Sequence, residues 1–225
     1  MSVHLEAQTN KLKKSILSLS AIVEEAVRRS VKAVIGRDPE LAREVIDGDP
    51  EVDHIEVEIE EECLKVFALY QPVATDLREV VAVLKINNDL ERIADLAVNI
   101  AQRAIELTSD EPADIPYDLA TMAEKAMEML RNCLDALVTM DPALAHSVCD
   151  ADEVVDEMNR TAARKIRAVI HRNPEQLESM LSLLLVARHL ERIADLSTNI
   201  AEDVIYSCQG VIVRHNIELR PDNGE

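Results

Sequence analysis

Apolar residues recur at alternating steps of three and four along almost the whole chain, the spacing that lines one face of an α-helix. Breakers interrupt the pattern at Asp38-Pro39, Asp49-Pro50, Gln71-Pro72, Pro112 to Pro116, Asp141-Pro142, Asn173-Pro174 and Gly210. Together they predict six helices, at roughly 4–35, 39–69, 73–108, 116–140, 142–171 and 175–208. Gly48 and Asp150 mark places where a short turn could interrupt the second and fifth. In the third helix Ile86, Leu90, Ile93, Ala97, Ile100 and Ala104 form one stripe, and in the sixth Val186, Leu190, Ile193, Ser197, Ile200 and Val204 repeat it. Packing against the other helices is a sufficient reason for these positions.

The two halves of the chain match. Leu90-Glu91-Arg92-Ile93-Ala94-Asp95-Leu96 recurs unchanged at Leu190 to Leu196, and Asn99-Ile100-Ala101 recurs as Asn199-Ile200-Ala201, an offset of 100. Upstream, Asp38-Pro39-Glu40-Leu41-Ala42 pairs with Asp141-Pro142-Ala143-Leu144-Ala145 at an offset of 103. The expected architecture is therefore all-α, a tandem duplication of a three-helix bundle. The repeats are expected at 1–110 and 111–225, the second carrying a short C-terminal tail, with the acidic stretch Thr108 to Pro116 as the joint.

Composition agrees with helices: 48% of residues are hydrophobic, yet there is no Trp, one Phe and only four Gly. A formal charge of −19 argues against nucleic acid or an anionic membrane as the direct partner, and favours cations and basic protein surfaces. Cys63, Cys133, Cys149 and Cys208 form no CxxC pair, so free thiols in a reducing cytoplasm are expected rather than a zinc knuckle or disulfide framework. The segment Met1 to Lys14 lacks the apolar stretch of a secretory signal. The most hydrophobic run, Met180 to Ala187, is too short to cross a bilayer, so any membrane role is expected to go through a partner.

The candidate chemistry lies in paired carboxylates. Glu91 and Asp95 are four apart, on a helix flank away from the core stripe, and Asp49 and Asp53 share that spacing beside the stripe of Val52, Ile55, Ile59, Cys63 and Val66. Asp53 lies 18 residues before Gln71 and Glu91 lies 19 after Pro72, so an antiparallel hairpin brings both to about 27 Å from the turn. In the second copy Asp156 lies 17 residues before Asn173 and Glu191 lies 17 after Pro174, next to Asp152 and Asp195. Four carboxylates at one level repel one another unless a cation sits among them. The donor set suits Mg²⁺, Ca²⁺, Mn²⁺ or iron, with Asn99 and Asn199 as accessory candidates. Ion pairing with Arg92 and Arg192 is the competing account, as is helix capping by Asp49 and Asp152. His54 and His189, each unmatched in the other copy, read as surface or partly buried side chains, and Glu58 to Glu62 as a solvated face. Phosphate loops, nucleophile elbows and the Glu-x-x-His pairs of a diiron oxidase are missing, which disfavours an enzyme.

Several segments together resemble the PhoU family: Gln71-Pro72-Val73-Ala74-Thr75-Asp76-Leu77-Arg78, Asp89 to Asp95, Asn99-Ile100-Ala101 and Val213-Arg214-His215. The likeness extends over essentially the whole chain. It implies two three-helix bundles related by a pseudo-twofold axis, with metal clusters, often iron, held by (Glu/Asp)-x-x-x-Asp motifs. These map to Asp49, Asp53, Glu91 and Asp95, and to Asp152, Asp156, Glu191 and Asp195. The resemblance further implies a homodimeric, cytoplasmic, non-enzymatic regulator that restrains the phosphate-starvation response, bridging a phosphate ABC transporter and a sensor histidine kinase. A carboxylate-bridged metal hydrolase or oxidase, and a metal-free helical scaffold, are the rival readings. Ala94 and Ala194 stand where the family often has Gly, His189 replaces Asp89, and the QPxAxDLR stretch is absent from the second copy. A second site of different affinity or nuclearity is therefore expected.

Overall fold

The computed structural model describes residues 3–109, 113–211 and 213. Arg214 and His215, and residues 110–112 of the joint between the repeats, lie outside the described residues. Six helices follow one another: α1 (Val3–Gly36), α2 (Pro39–Tyr70), α3 (Ala74–Ser109), α4 (Leu119–Thr139), α5 (Pro142–Arg172) and α6 (Leu177–Gln209), with a single 3₁₀ turn at Pro174–Gln176. The described residues contain no strand.

Helix starts are fixed by the same device in both halves. Asp38 Oδ1 accepts from the N–H groups of Glu40 (3.1 Å) and Leu41 (3.0 Å), with Pro39 in the first turn. Asp141 does the same for Ala143 (2.9 Å) and Leu144 (3.2 Å), with Pro142 following. These aspartates satisfy N–H groups that a helix cannot satisfy internally. At α4 the cap is Asp118, which accepts from the N–H of Thr121 at 3.1 Å, so the helix starts three residues later than its proline suggests. The residue before it is used otherwise: the Tyr117 hydroxyl donates to the Leu183 carbonyl at 2.8 Å, tying the connection to α6.

The interruptions expected near Gly48 and Asp150 do not occur, since α2 and α5 run through both places. Pro50 offers no N–H to the Ile46 carbonyl, a defect that costs about 3 kcal/mol in a helix interior. Here Pro50 is exposed, so water can reach the gap, and buried Val45, Val52 and Ile59 hold both sides of it. Around Asp150 there is neither Pro nor Gly to break the helix.

The predicted stripes of α3 and α6 are fully buried at all twelve positions. Ser197, the one polar member, is satisfied by donating to the Ile193 carbonyl at 2.8 Å. They belong to one continuous core that also takes in Ile16, Leu19, Val23 and Val27 of α1 and Met122, Leu130 and Leu137 of α4. Two polar links set the register between the halves: Lys85 with Asp203 at 3.1 Å, and Ser182 donating to Glu106 at 2.9 Å. They make α3 and α6 antiparallel with Ala94 opposite Ala194, both buried, so the pseudo-twofold axis passes between two small side chains. The acidic motifs sit directly beside this crossing, on the flanks of the helices that form it.

Candidate metal centre

Burial of Val52, Ile59, Cys63 and Val66 fixes how α2 faces the core, and Val155, Ala162 and Ile166 do the same for α5. The i, i+4 acidic pairs then fall on the flank facing α3 or α6. The result is close to symmetric: Asp49, Glu91 and Asn99 are half-buried with Asp53 and Asp95 exposed, and Asp152, Asp156, Glu191 and Asn199 are half-buried with Asp195 exposed.

The second cluster is the tighter one. One carboxylate oxygen from each of Asp152, Asp156 and Asp195 lies within 4.8 Å of the other two. Oδ1 of Asp152 is sealed from solvent with no hydrogen-bond partner, and so is the neighbouring Thr198 Oγ1. Burial, then the charges of Asp195 and Asp156, raise the Asp152 carboxyl above the usual range; the Thr198 hydroxyl lies near enough to favour its ionised form, though without the alignment of a hydrogen bond. Burial and Asp156 raise Asp195, while Arg192 opposes the rise. Glu191 is raised by burial, Asp195 and Asp156 against the opposing charges of Arg188 and Arg192, although it offers no oxygen to the three-residue group. Several acids held this way are each easier to protonate than in water, the signature of a site short of positive charge. A sealed, unpartnered carboxylate oxygen beside two further carboxylates fits a hard, oxygen-preferring cation such as Mg²⁺, Ca²⁺ or Mn²⁺, and equally ferrous iron.

In the first cluster the acids feel one another without closing up. Burial, then Asp53 and Asp95, raise Asp49; burial, then Asp95, Asp53, Glu56 and Asp49, raise Glu91. The α2 and α3 acids thus meet at one level, as the hairpin arithmetic requires. Glu56, a fifth member that sequence reasoning passed over, is raised by burial and by Glu60 and Asp53. It is anchored by the buried Asn87 amide, which donates to its carbonyl at 2.8 Å and its Oε1 at 3.2 Å. Its spacing from Asp49 and Asp53, seven and three residues, was the signal that could have found it. No three of these acids bring their oxygens as close together as the second group does.

The competing accounts fare differently. Capping is excluded for Asp49 and Asp152, which stand inside helices capped by Asp38 and Asp141. Arg92 pairs with Asp89 at 3.3 Å rather than with Glu91 or Asp95. Asp156 does have a basic neighbour, Arg160, but at 3.7 Å, and that guanidinium is engaged more closely by Glu153 and Glu157. Asn199 lines a groove between the halves with Lys85, Asn88 and Arg92. His54 is exposed beside Glu58, and His189 is half-buried, its pKa lowered by burial and by Arg103, Arg192 and Arg188. The four thiols are unpaired and poorly acidic: burial pushes Cys63 up to about 12 and Cys149 to about 11.

The duplicated frame has counterparts among known proteins. A profile of the PhoU domain matches residues 16–104 and again residues 119–204. The chain belongs to the PhoU family. It is 38% identical over 209 residues to a phosphate-specific transport system accessory protein PhoU homolog of Aquifex aeolicus, covering 92% of this chain and 94% of that protein. A Pseudomonas putida homolog of the same description is 35% identical over 96% of this chain and 84% of its own length. The crystal structure of PhoU from Pseudomonas aeruginosa superposes with a TM-score of 0.87 at 33% identity, covering 92% of this chain and 99% of that one. The phosphate transport system regulatory protein PhoU from Streptococcus pneumoniae does so with the same TM-score at 27% identity, over 93% and 99%. PhoU-family membership thus accounts for the duplication. Among the described residues no helix is long and apolar enough to cross a membrane.

Proposed function

We propose that the chain is a non-enzymatic regulator of phosphate transport, acting by contact with a phosphate ABC transporter and a sensor histidine kinase, and restraining the response to phosphate starvation. Its place is the cytoplasm and its working form a homodimer. The observation that supports this most is the match over both repeats to accessory and regulatory proteins of phosphate transport. Pull-down of the tagged chain from gently solubilised membranes should recover transporter subunits and the kinase; recovery of neither overturns the reading.

The carboxylate clusters are the metal-binding part of this proposal. Asp152, Asp156 and Asp195, with Glu191 in reserve, would hold one cation, and Asp49, Asp53, Glu91 and Asp95 another. A bound cation would supply fixed positive charge and local rigidity across the α2–α3 and α5–α6 pairs. The carboxylates themselves would do the selecting, since oxygen donors favour iron, manganese, magnesium or calcium over softer ions. Elemental analysis of wild type beside Glu91→Gln/Asp95→Asn should show metal lost from the first cluster with helicity retained, because these side chains lie outside the core. Equal metal content in both proteins removes the first cluster from the proposal.

A further inference from the structure

Beside the second cluster, α5 and α6 enclose a groove of about 520 Å³ lined by Arg160, Arg188 and Arg192, with Leu184 and Leu185 as apolar wall and Glu191 and Asp195 at one side. Arg188 and Arg192 are exposed and make no hydrogen bond or ion pair among the described residues. They feel Glu191 and Asp195 only through space, so in a chain of formal charge −19 two guanidinium groups one helical turn apart keep their hydrogen-bond donors available. Like charges at this spacing disfavour the helix slightly, which makes them a poor choice for stability alone.

The other repeat shows what this arrangement replaces. At the positions matching Arg160, Arg188 and Leu185 it carries Val57, Asn88 and Lys85. Its Arg92 is held by Asp89 at 3.3 Å, and its Lys85 by Asp203 at 3.1 Å. Exchange of Asp89 for His189 removes the hydrogen-bonded partner that Arg192 would have had, and exchange of Asn88 for Arg188 adds a second guanidinium without a hydrogen-bonded acid.

We propose that this groove is a binding site for a phosphate-type oxyanion, free or carried as a monoester, and that it exists in the second repeat alone. A doubly charged tetrahedral oxyanion offers enough oxygens for two guanidinium forks, each able to donate two parallel hydrogen bonds. Glu191 and Asp195 oppose the anion in the metal-free protein. A cation among the carboxylates removes that opposition, so Mn²⁺ is expected to tighten anion binding. The arginines supply the affinity with or without it, and the site therefore stands apart from the metal reading.

The test is calorimetric titration of the full chain with inorganic phosphate and with phenyl phosphate, first stripped of metal and then with Mn²⁺ present. Binding in both conditions, tighter with Mn²⁺, is expected; binding of phosphate alone marks a free anion, and binding of both probes marks a site open to phosphorylated partners. Arg188→Asn/His189→Asp, which copies the first repeat, should weaken binding ~10-fold or more, the scale of lost charge-assisted hydrogen bonds. Arg92→Gln should leave it unchanged, and circular dichroism checks that each variant keeps its helices. Binding of neither probe in either condition overturns the proposal. So does Mn²⁺-dependent binding that survives Arg188→Asn/His189→Asp, which would place the anion on the metal alone.

Discussion

Around Glu91 and Asp95 the acids stay spread over five positions, with Glu56 anchored to Asn87 and an apolar groove of about 390 Å³ alongside, lined by Ala21, Ile22, Gly48 and Val98 among others. Around Glu191 and Asp195 three carboxylates close to within 4.8 Å, Thr198 takes the place of Val98, and the neighbouring groove is lined with arginine. The seven residues Leu90 to Leu96 and Leu190 to Leu196 are identical. A shared motif therefore fixes the frame and the level at which charge collects. Its neighbours, on the facing helix and one turn along, decide how closely the charges gather and what surrounds them.

The comparison breaks most visibly in metal affinity. Asp152→Asn/Asp195→Asn should weaken Mn²⁺ binding at the second cluster by ~10–100-fold or more, the loss known even for partners behind the ligands. Asp49→Asn/Asp95→Asn should remove a weaker site and leave the tight one, so equilibrium dialysis with Mn²⁺ separates the two. Equal losses would make the clusters equivalent and erase the contrast drawn here.

The shared frame should respond alike in both halves. Ala94→Leu and Ala194→Leu each force bulk into the helix crossing and should destabilise by about 1–3 kcal/mol in chemical denaturation, to a similar extent. Asp38→Ala and Asp141→Ala remove equivalent caps and should cost about 1 kcal/mol each. A large difference within either pair would show that the halves diverge in framework as well as in flanking chemistry.

The smallest effect is in pH dependence. Asp49, Glu91, Asp152, Glu191 and Asp195 all have folded pKa values raised above those of the unfolded chain. These five groups therefore bind more protons in the native state than in the unfolded one from pH ~4 up through those raised values, and their contribution to stability falls as pH rises across that window. Glu157, Glu62, Asp118, Glu128 and His189, all lowered, act in the opposite sense. Relative to Asp152→Asn/Asp195→Asn, metal-free wild type should lose melting temperature from the acidic end of the window to neutral pH, modestly because these groups are partly solvated. Mn²⁺ should flatten the dependence, since it stabilises the ionised form. A wild-type melting temperature that holds level with or rises against that variant's across the window would contradict this.

Much of this was legible in the chain. The 100-residue repeat, the Asp-Pro caps and the α3 and α6 stripes are written locally, and the common height of the acidic pairs followed from helical rise. The continuity of α2 through Pro50 was not legible, because it depends on which face of the helix meets water and on Val45, Val52 and Ile59 anchoring both sides. Nor was the closing of Asp152, Asp156 and Asp195 with Glu191 left aside, which depends on side-chain placement that helical spacing does not fix. The change of Asp89 to His189 is visible in the sequence. Its consequence for Arg192 needs the geometry of the Arg92–Asp89 pair, which lies on the partner repeat.

The central claim is that carboxylates from adjacent helices converge on a place suited to a cation, most tightly in the second repeat. Anomalous X-ray diffraction from crystals soaked in Mn²⁺ tests it most directly. The account predicts a strong anomalous peak coordinated by Asp152, Asp156 and Asp195, with the Asp152 oxygen that lacks a partner among its ligands. An empty cluster, with Arg160 folded onto Asp156 and the remaining carboxylates turned to solvent, would contradict it.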